Sequence, residues 1–154
     1  METRLEYGRA APGPVQAMYK LQKYVDGSGL ERSLLELVKT RVSQINGCAF
    51  CIDMHTKDAR AAGETEQRLY GLSAWREAPY YSGRERAALA WAEAVTLIAE
   101  THASDEEYEA ARAQFDEGEL VKLTMAVIAI NGWNRLAISF RPEVGTYQPR
   151  GKAQ

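Results

Sequence analysis

Apolar residues in this chain recur at helical spacing and nowhere alternate as a strand requires, and that single pattern excludes most folds. Leu34, Leu37, Val38, Val42 and Ile45 mark one stripe, stopped by Asn46 and Gly47. Residues 14–26 form an earlier helix that ends at Gly27-Ser28-Gly29. Residues 48–62 make a third, closed by Gly63, and residues 64–72 a short fourth. Ser82 with Glu85 and Ser104 with Glu107 are capping boxes. They open helices expected over 82–100 and 104–115. The first of these is apolar on most sides and is expected to be central. A long helix over 119–139 cannot continue past Pro142. The lead-in before residue 12, the connector 73–81 and the tail from Val144 are expected to lack helix. The expected fold is all-α, a bundle of about six to seven helices in one domain over 1–154, with its core at about 15–140.

With 154 residues the chain can bury a substantial core. The net charge of −2 offers no basic footprint for nucleic acid or for an acidic membrane surface. The longest apolar run, 123–130, is too short to span a bilayer. No export signal is legible in the polar first residues, so the expected location is cytoplasmic.

The only two cysteines, Cys48 and Cys51, stand in a C-x-x-C pair, with His55 one turn on. On a helix the three side chains fall within about 60° of one face. Asp53, Lys57 and Arg60 lie on the other. In the cytosol such a pair points to redox chemistry more than to a structural bond. A two-residue loop constrains the unfolded chain too little to be a useful staple. Zinc bound by Cys48, Cys51 and His55 is an alternative, though no second ligand pair exists in the sequence. Two inert buried thiols are another. The helix N-terminus favours a thiolate at Cys48, whereas the i,i+4 relation to His55 favours Cys51.

Glu36, eleven residues, Cys48-x-x-Cys51, three residues and His55 resemble the E-x11-C-x-x-C-x3-H signature of AhpD-like alkylhydroperoxidases. These belong to the carboxymuconolactone decarboxylase superfamily. Residues 75–79, 82–91 and 130–135 also resemble segments of its short members. The resemblance implies a homo-oligomer, trimer or hexamer. It implies a peroxidase that acts on hydrogen peroxide or organic hydroperoxides and draws electrons from a dihydrolipoyl-type or thioredoxin-like donor. Carried over, Cys51 attacks peroxide, Cys48 resolves, and Glu36 with His55 relays protons. No cofactor and no metal are implied. The best-known members carry a histidine where this chain has Phe50.

Helical spacing alone puts Glu36 on the polar side of its helix, where pairing with Lys39 or Thr40 in solvent is expected. His102 is expected at the surface. Trp133, Asn134 and Arg135 are expected to serve packing or subunit contact, and Tyr80 and Tyr81 to pack rather than to line a substrate channel. Two other functions remain: a thiol redox sensor or oligomeric interaction protein, and a lactone decarboxylase.

Overall fold

The structure is a computed structural model that describes residues 2–149. Its described residues form nine α-helices and no strand. α1 is Tyr7–Ala10, α2 Pro12–Asp26, α3 Arg32–Asn46, α4 Ala49–Ala61 and α5 Glu66–Tyr70. A 3-10 turn, Gly71–Ala74, follows. α6 is Gly83–Thr96, α7 Ile98–Thr101, α8 Asp105–Arg112 and α9 Glu117–Phe140. The all-α expectation holds. The count exceeds six to seven because two single turns form at the ends of longer elements. One is α1, in the lead-in expected to be loose. The other is α7, which is split from α6 where Leu97 leaves helical geometry.

Local chemistry accounts for most helix starts. Ser82 and Ser104 make the two expected capping boxes with Glu85 and Glu107. A third, Asp116 with Glu119, starts α9 two residues before the expected position. Pro12 and Pro14 both fit the first turn of α2, where a missing N–H costs nothing.

The centre of the bundle is α3 rather than α6. α3 packs on α4, α6 and α9, and residues 34–40 are buried on every side. Its apolar stripe meets the core through Leu34, Leu37, Val38 and Val42. The remaining face carries Glu36, Lys39, Thr40 and Ser43, all buried. A bundle centre with a polar face requires partners for each of those groups. α4 supplies His55 to Glu36 and α9 supplies Asn134 to Ser43, Lys39 pairs with Glu36 and with Asp26 of α2, and the buried Thr40 hydroxyl has no partner among the described residues. α2 lies along α9, close enough that a side chain on Gly132 would collide with Met18.

The chain ends also fold back. The N–H groups of Arg4 and Leu5 donate to the carbonyl of Phe140. The tail crosses α4, where Lys57 Nζ donates to the carbonyls of Gly145 and Tyr147 at 3.1 and 3.0 Å. Lys57 and Asp53, expected to face away from the sulfurs, therefore support the tail. Among the described residues no helix is long and apolar enough to cross a membrane.

Candidate active site

The site begins at the reversal between α3 and α4. Gly47 adopts φ +69°, a left-handed conformation that glycine enters without strain. The turn returns the N–H of Cys48 to the carbonyl of Ser43 at 2.9 Å. Cys48 thus becomes the N-cap of α4, with extended backbone angles, and its sulfur accepts the N–H of Cys51 at 3.4 Å. A thiol occupies the position that Ser or Asp oxygens normally hold. A thiolate fills that acceptor role better than a neutral thiol.

Both cysteines are free thiols, each about 1% exposed. Their environments drive them apart. A hydrogen bond from the Cys51 thiol, opposed by burial and helped by the N–H groups of Cys51 and Phe50 and by Asn134, lowers Cys48 to about 7. The Cys51 thiol is raised, because it donates to Cys48, is buried, and faces the charge there. The two thiols share a hydrogen bond and titrate as a pair.

His55 projects from the next turn of α4 and Glu36 from the middle of α3. Glu36 Oε2 lies 3.0 Å from His55 Nδ1, and Glu36 Oε1 accepts from Lys39 Nζ at 3.1 Å. Lys39 also reaches Asp26 at 3.3 Å. Burial acts to raise the Glu36 carboxyl, but the contacts to His55 and Lys39 outweigh it and hold it below the ordinary value. Glu36 does pair with Lys39, as helical spacing suggests, but it is buried rather than solvated. The face opposite a helix's apolar stripe is polar, yet here α4 covers it.

A cavity of about 640 Å³ opens beside these groups. Cys51, His55 and Glu36 line it, and Cys48 does not. Tyr7, Tyr19, Leu35, Phe50, Met54, Trp133 and Tyr147 give it an aromatic and apolar wall, and Gln22, Asp26, Arg32, Lys39 and Asp58 a polar one. Trp133 is thus a cavity wall as well as a packing residue, stacked at a tilt on Tyr19 and donating to Gln22. Tyr81 packs with Leu37, Leu69 and Leu72, away from the cavity. His102 is exposed, in the left-handed conformation that ends α7. A second cavity, about 280 Å³, lies between α3, α4, α5 and α6, and Glu36 is the residue common to both.

Among the described residues, Glu36, His55 and Asp58 bring three ligand-type atoms within 4.8 Å of one another. Neither sulfur belongs to this group, so it is not the Cys48–Cys51–His55 zinc set. Its groups already have partners: Lys39 and His55 on Glu36, and the Tyr147 hydroxyl on both Asp58 oxygens at 2.8 and 3.0 Å. The Lys39 ammonium supplies the positive charge that a cation would bring.

A sequence model of the carboxymuconolactone decarboxylase family matches residues 12–94, which include Glu36, both cysteines and His55. The chain is 48% identical over 139 residues to the uncharacterised protein YdfG of Bacillus subtilis (strain 168), spanning 90% of this chain and 95% of that one. A crystal structure from Agrobacterium tumefaciens, of a protein of unknown function proposed to be an AhpD antioxidant defence protein, superposes with a TM-score of 0.91. Its identity is 48%, over 95% of this chain and all of the other. The debrominase Bmp8, solved with 2,3,4-tribromopyrrole, shares the fold at a TM-score of 0.77 and 16% identity, over 89% of this chain and 73% of that one. A family model spanning more than half the chain and a relative matched nearly end to end agree, and the chain belongs to the carboxymuconolactone decarboxylase family, with an AhpD-like fold.

Proposed function

We propose that this protein is a dithiol peroxidase that reduces hydrogen peroxide or organic hydroperoxides. The observation that carries the reading is the division of the two sulfurs. Cys51 shares a cavity with His55 and Glu36, while Cys48, the N-cap of the same helix, does not line it. Cys51 gives up its proton to His55, and its sulfur attacks one peroxide oxygen. The O–O bond breaks, Cys51 becomes a sulfenic acid, and the alkoxide leaves with a proton returned through His55, which Glu36 orients at Nδ1. Cys48 then attacks the Cys51 sulfur. The S–S bond forms, the S–O bond breaks, and the departing hydroxide takes a proton from solvent through His55 and leaves as water. An external dithiol, of dihydrolipoyl or thioredoxin-like type, restores both thiols by exchange. The working form is a homo-oligomer, trimer or hexamer.

The aromatic walls favour an organic hydroperoxide over hydrogen peroxide, because they give an apolar substituent a surface to cover. The test is peroxide consumption with a recycling dithiol, together with sulfenate trapping in single-cysteine variants. Many turnovers, with the trapped sulfenate on Cys51 in Cys48→Ser, are expected. A single equivalent consumed would identify a sensor instead. A sulfenate on Cys48 would reverse the roles of the cysteines.

A further inference from the structure

Cys51 is about 1% exposed, so whatever reacts with it must come through the cavity it lines. Two parts of the cavity wall come from the chain ends, and they are held differently. Tyr7 stands on α1, its ring 5.5 Å from that of Phe140, and the lead-in before it is tied by backbone hydrogen bonds from Arg4 and Leu5 to the Phe140 carbonyl. Tyr147 stands on the segment 141–149, which has no helix and leaves the end of α9 to cross α4.

Within that segment residues 143–146 are exposed, whereas Tyr147 is half-buried and lines the cavity. Its hydroxyl donates to both oxygens of Asp58, at 2.8 and 3.0 Å. Lys57 Nζ donates to the carbonyls of Gly145 and Tyr147, and Asp53 fixes the ammonium at 2.9 Å. Both clasping side chains follow His55 directly on α4, and Asp58 lines the same cavity as His55. Lys57 is 31% exposed, so water competes for each of its bonds. A helix-free segment clasped through such contacts opens locally without unfolding the bundle.

We infer that residues 144–147 form a strap over the cavity, and that Tyr147 sets the size of molecule able to reach Cys51. With Lys57 and Asp58 engaged, the tyrosine ring closes the cavity to bulky reagents and leaves room for small ones. Released, it opens the same cavity to a larger hydroperoxide or to the dithiol that must reach the Cys48–Cys51 disulfide. That consequence for turnover rests on the peroxidase reading; control of access to Cys51 does not.

The experiment labels the full chain with N-ethylmaleimide or with the much larger pyrenyl maleimide at one pH. Initial labelling at each cysteine is read by fragmenting the labelled peptide in a mass spectrometer. Tyr147→Ala should raise the Cys51 rate with the pyrenyl reagent by about tenfold, and with N-ethylmaleimide far less. Lys57→Met keeps the stem and removes the clasp, and should act in the same direction by several-fold. Cys48 does not line the cavity, so its rate should stay in place, whereas a general loosening of α4 would raise both cysteines together. Tyr70→Ala, at a tyrosine 71% exposed and outside the cavity, should change neither rate. In peroxide turnover, Lys57→Met should favour cumene hydroperoxide over hydrogen peroxide relative to the unsubstituted protein. An unmoved Cys51 rate in folded Tyr147→Ala overturns the proposal, as does an equal rise at Cys48 or an equal rise with both reagents. If labelling changes as expected but no form of the protein consumes peroxide, the strap stands and the peroxidase reading falls.

Discussion

Two charged networks of this molecule have similar bond lengths and very different surroundings. Around α3, Asp26, Lys39, Glu36 and His55 form a chain with contacts of 3.0–3.3 Å, and the Lys39 and Glu36 side chains are only 7% exposed. Where α6 meets the loops, Arg84 joins Glu31 at 2.8 Å and Glu119 at 2.6 Å, with Glu31 51% exposed. The arginine contacts are the shorter ones, yet they are the cheaper to lose. Water takes over an exposed carboxylate when its partner is removed, whereas a buried ion left alone has no substitute. Length does not rank these interactions; burial does.

Substitutions that touch one network and not the other test that contrast. Cys51→Ser, at the cavity wall, should reduce peroxide turnover to background, while Arg84→Ala should leave it near the unsubstituted rate in the same assay. His55→Ala should slow the first oxidation by about 10²- to 10⁴-fold and move its pH dependence upward, read by stopped-flow sulfenate formation. Glu36→Ala strands Lys39 and His55 in the interior and should cost about 3 kcal/mol in urea unfolding. Arg84→Ala should cost less than about 1 kcal/mol, and that loss should shrink further in high salt. A larger cost for Arg84→Ala than for Glu36→Ala would break the comparison.

Acid titration sharpens it. Glu36 is held below 4.5 in the folded protein. A carboxyl depressed on folding stabilises the fold above its unfolded pKa, and that stability is lost as pH falls through the depressed value. Stability should therefore decline below about pH 4.5. Glu36→Gln should flatten that decline, measured as the urea midpoint against pH.

The sequence makes the helices readable because caps and stops are local. Ser82 and Glu85 lie three residues apart, and each satisfies the other's backbone. The site was readable in its first turn for the same reason: Cys48, Cys51 and His55 share one helix. Glu36 was not legible from periodicity, since the amphipathic rule assumes one covered face and α3 is covered on all of them. The resemblance singled it out; helical spacing sent it to solvent. Local pattern places Asn134 and Trp133 in packing or subunit contact, and nothing local points further. What sets them apart is a contact with chain that lies far off in sequence. The aromatic lining was missed in the same way: Tyr7 and Tyr147 reach the cavity from opposite ends of the described chain.

Ser43 and Asn134 are 91 residues apart. A chain made from its N-terminus at about 5–20 residues per second therefore displays Cys48 and Cys51 for several seconds before α9 exists to cover them. Oxidant meets two bare thiols in that interval. Many nascent proteins would risk a wrong cross-link, but this chain has only two cysteines. The only disulfide it can close within itself is Cys48–Cys51, a two-residue ring that ties no distant segments together. A chain oxidised during synthesis should therefore still fold, and a refolding yield of the oxidised chain equal to that of the reduced one is the expected result.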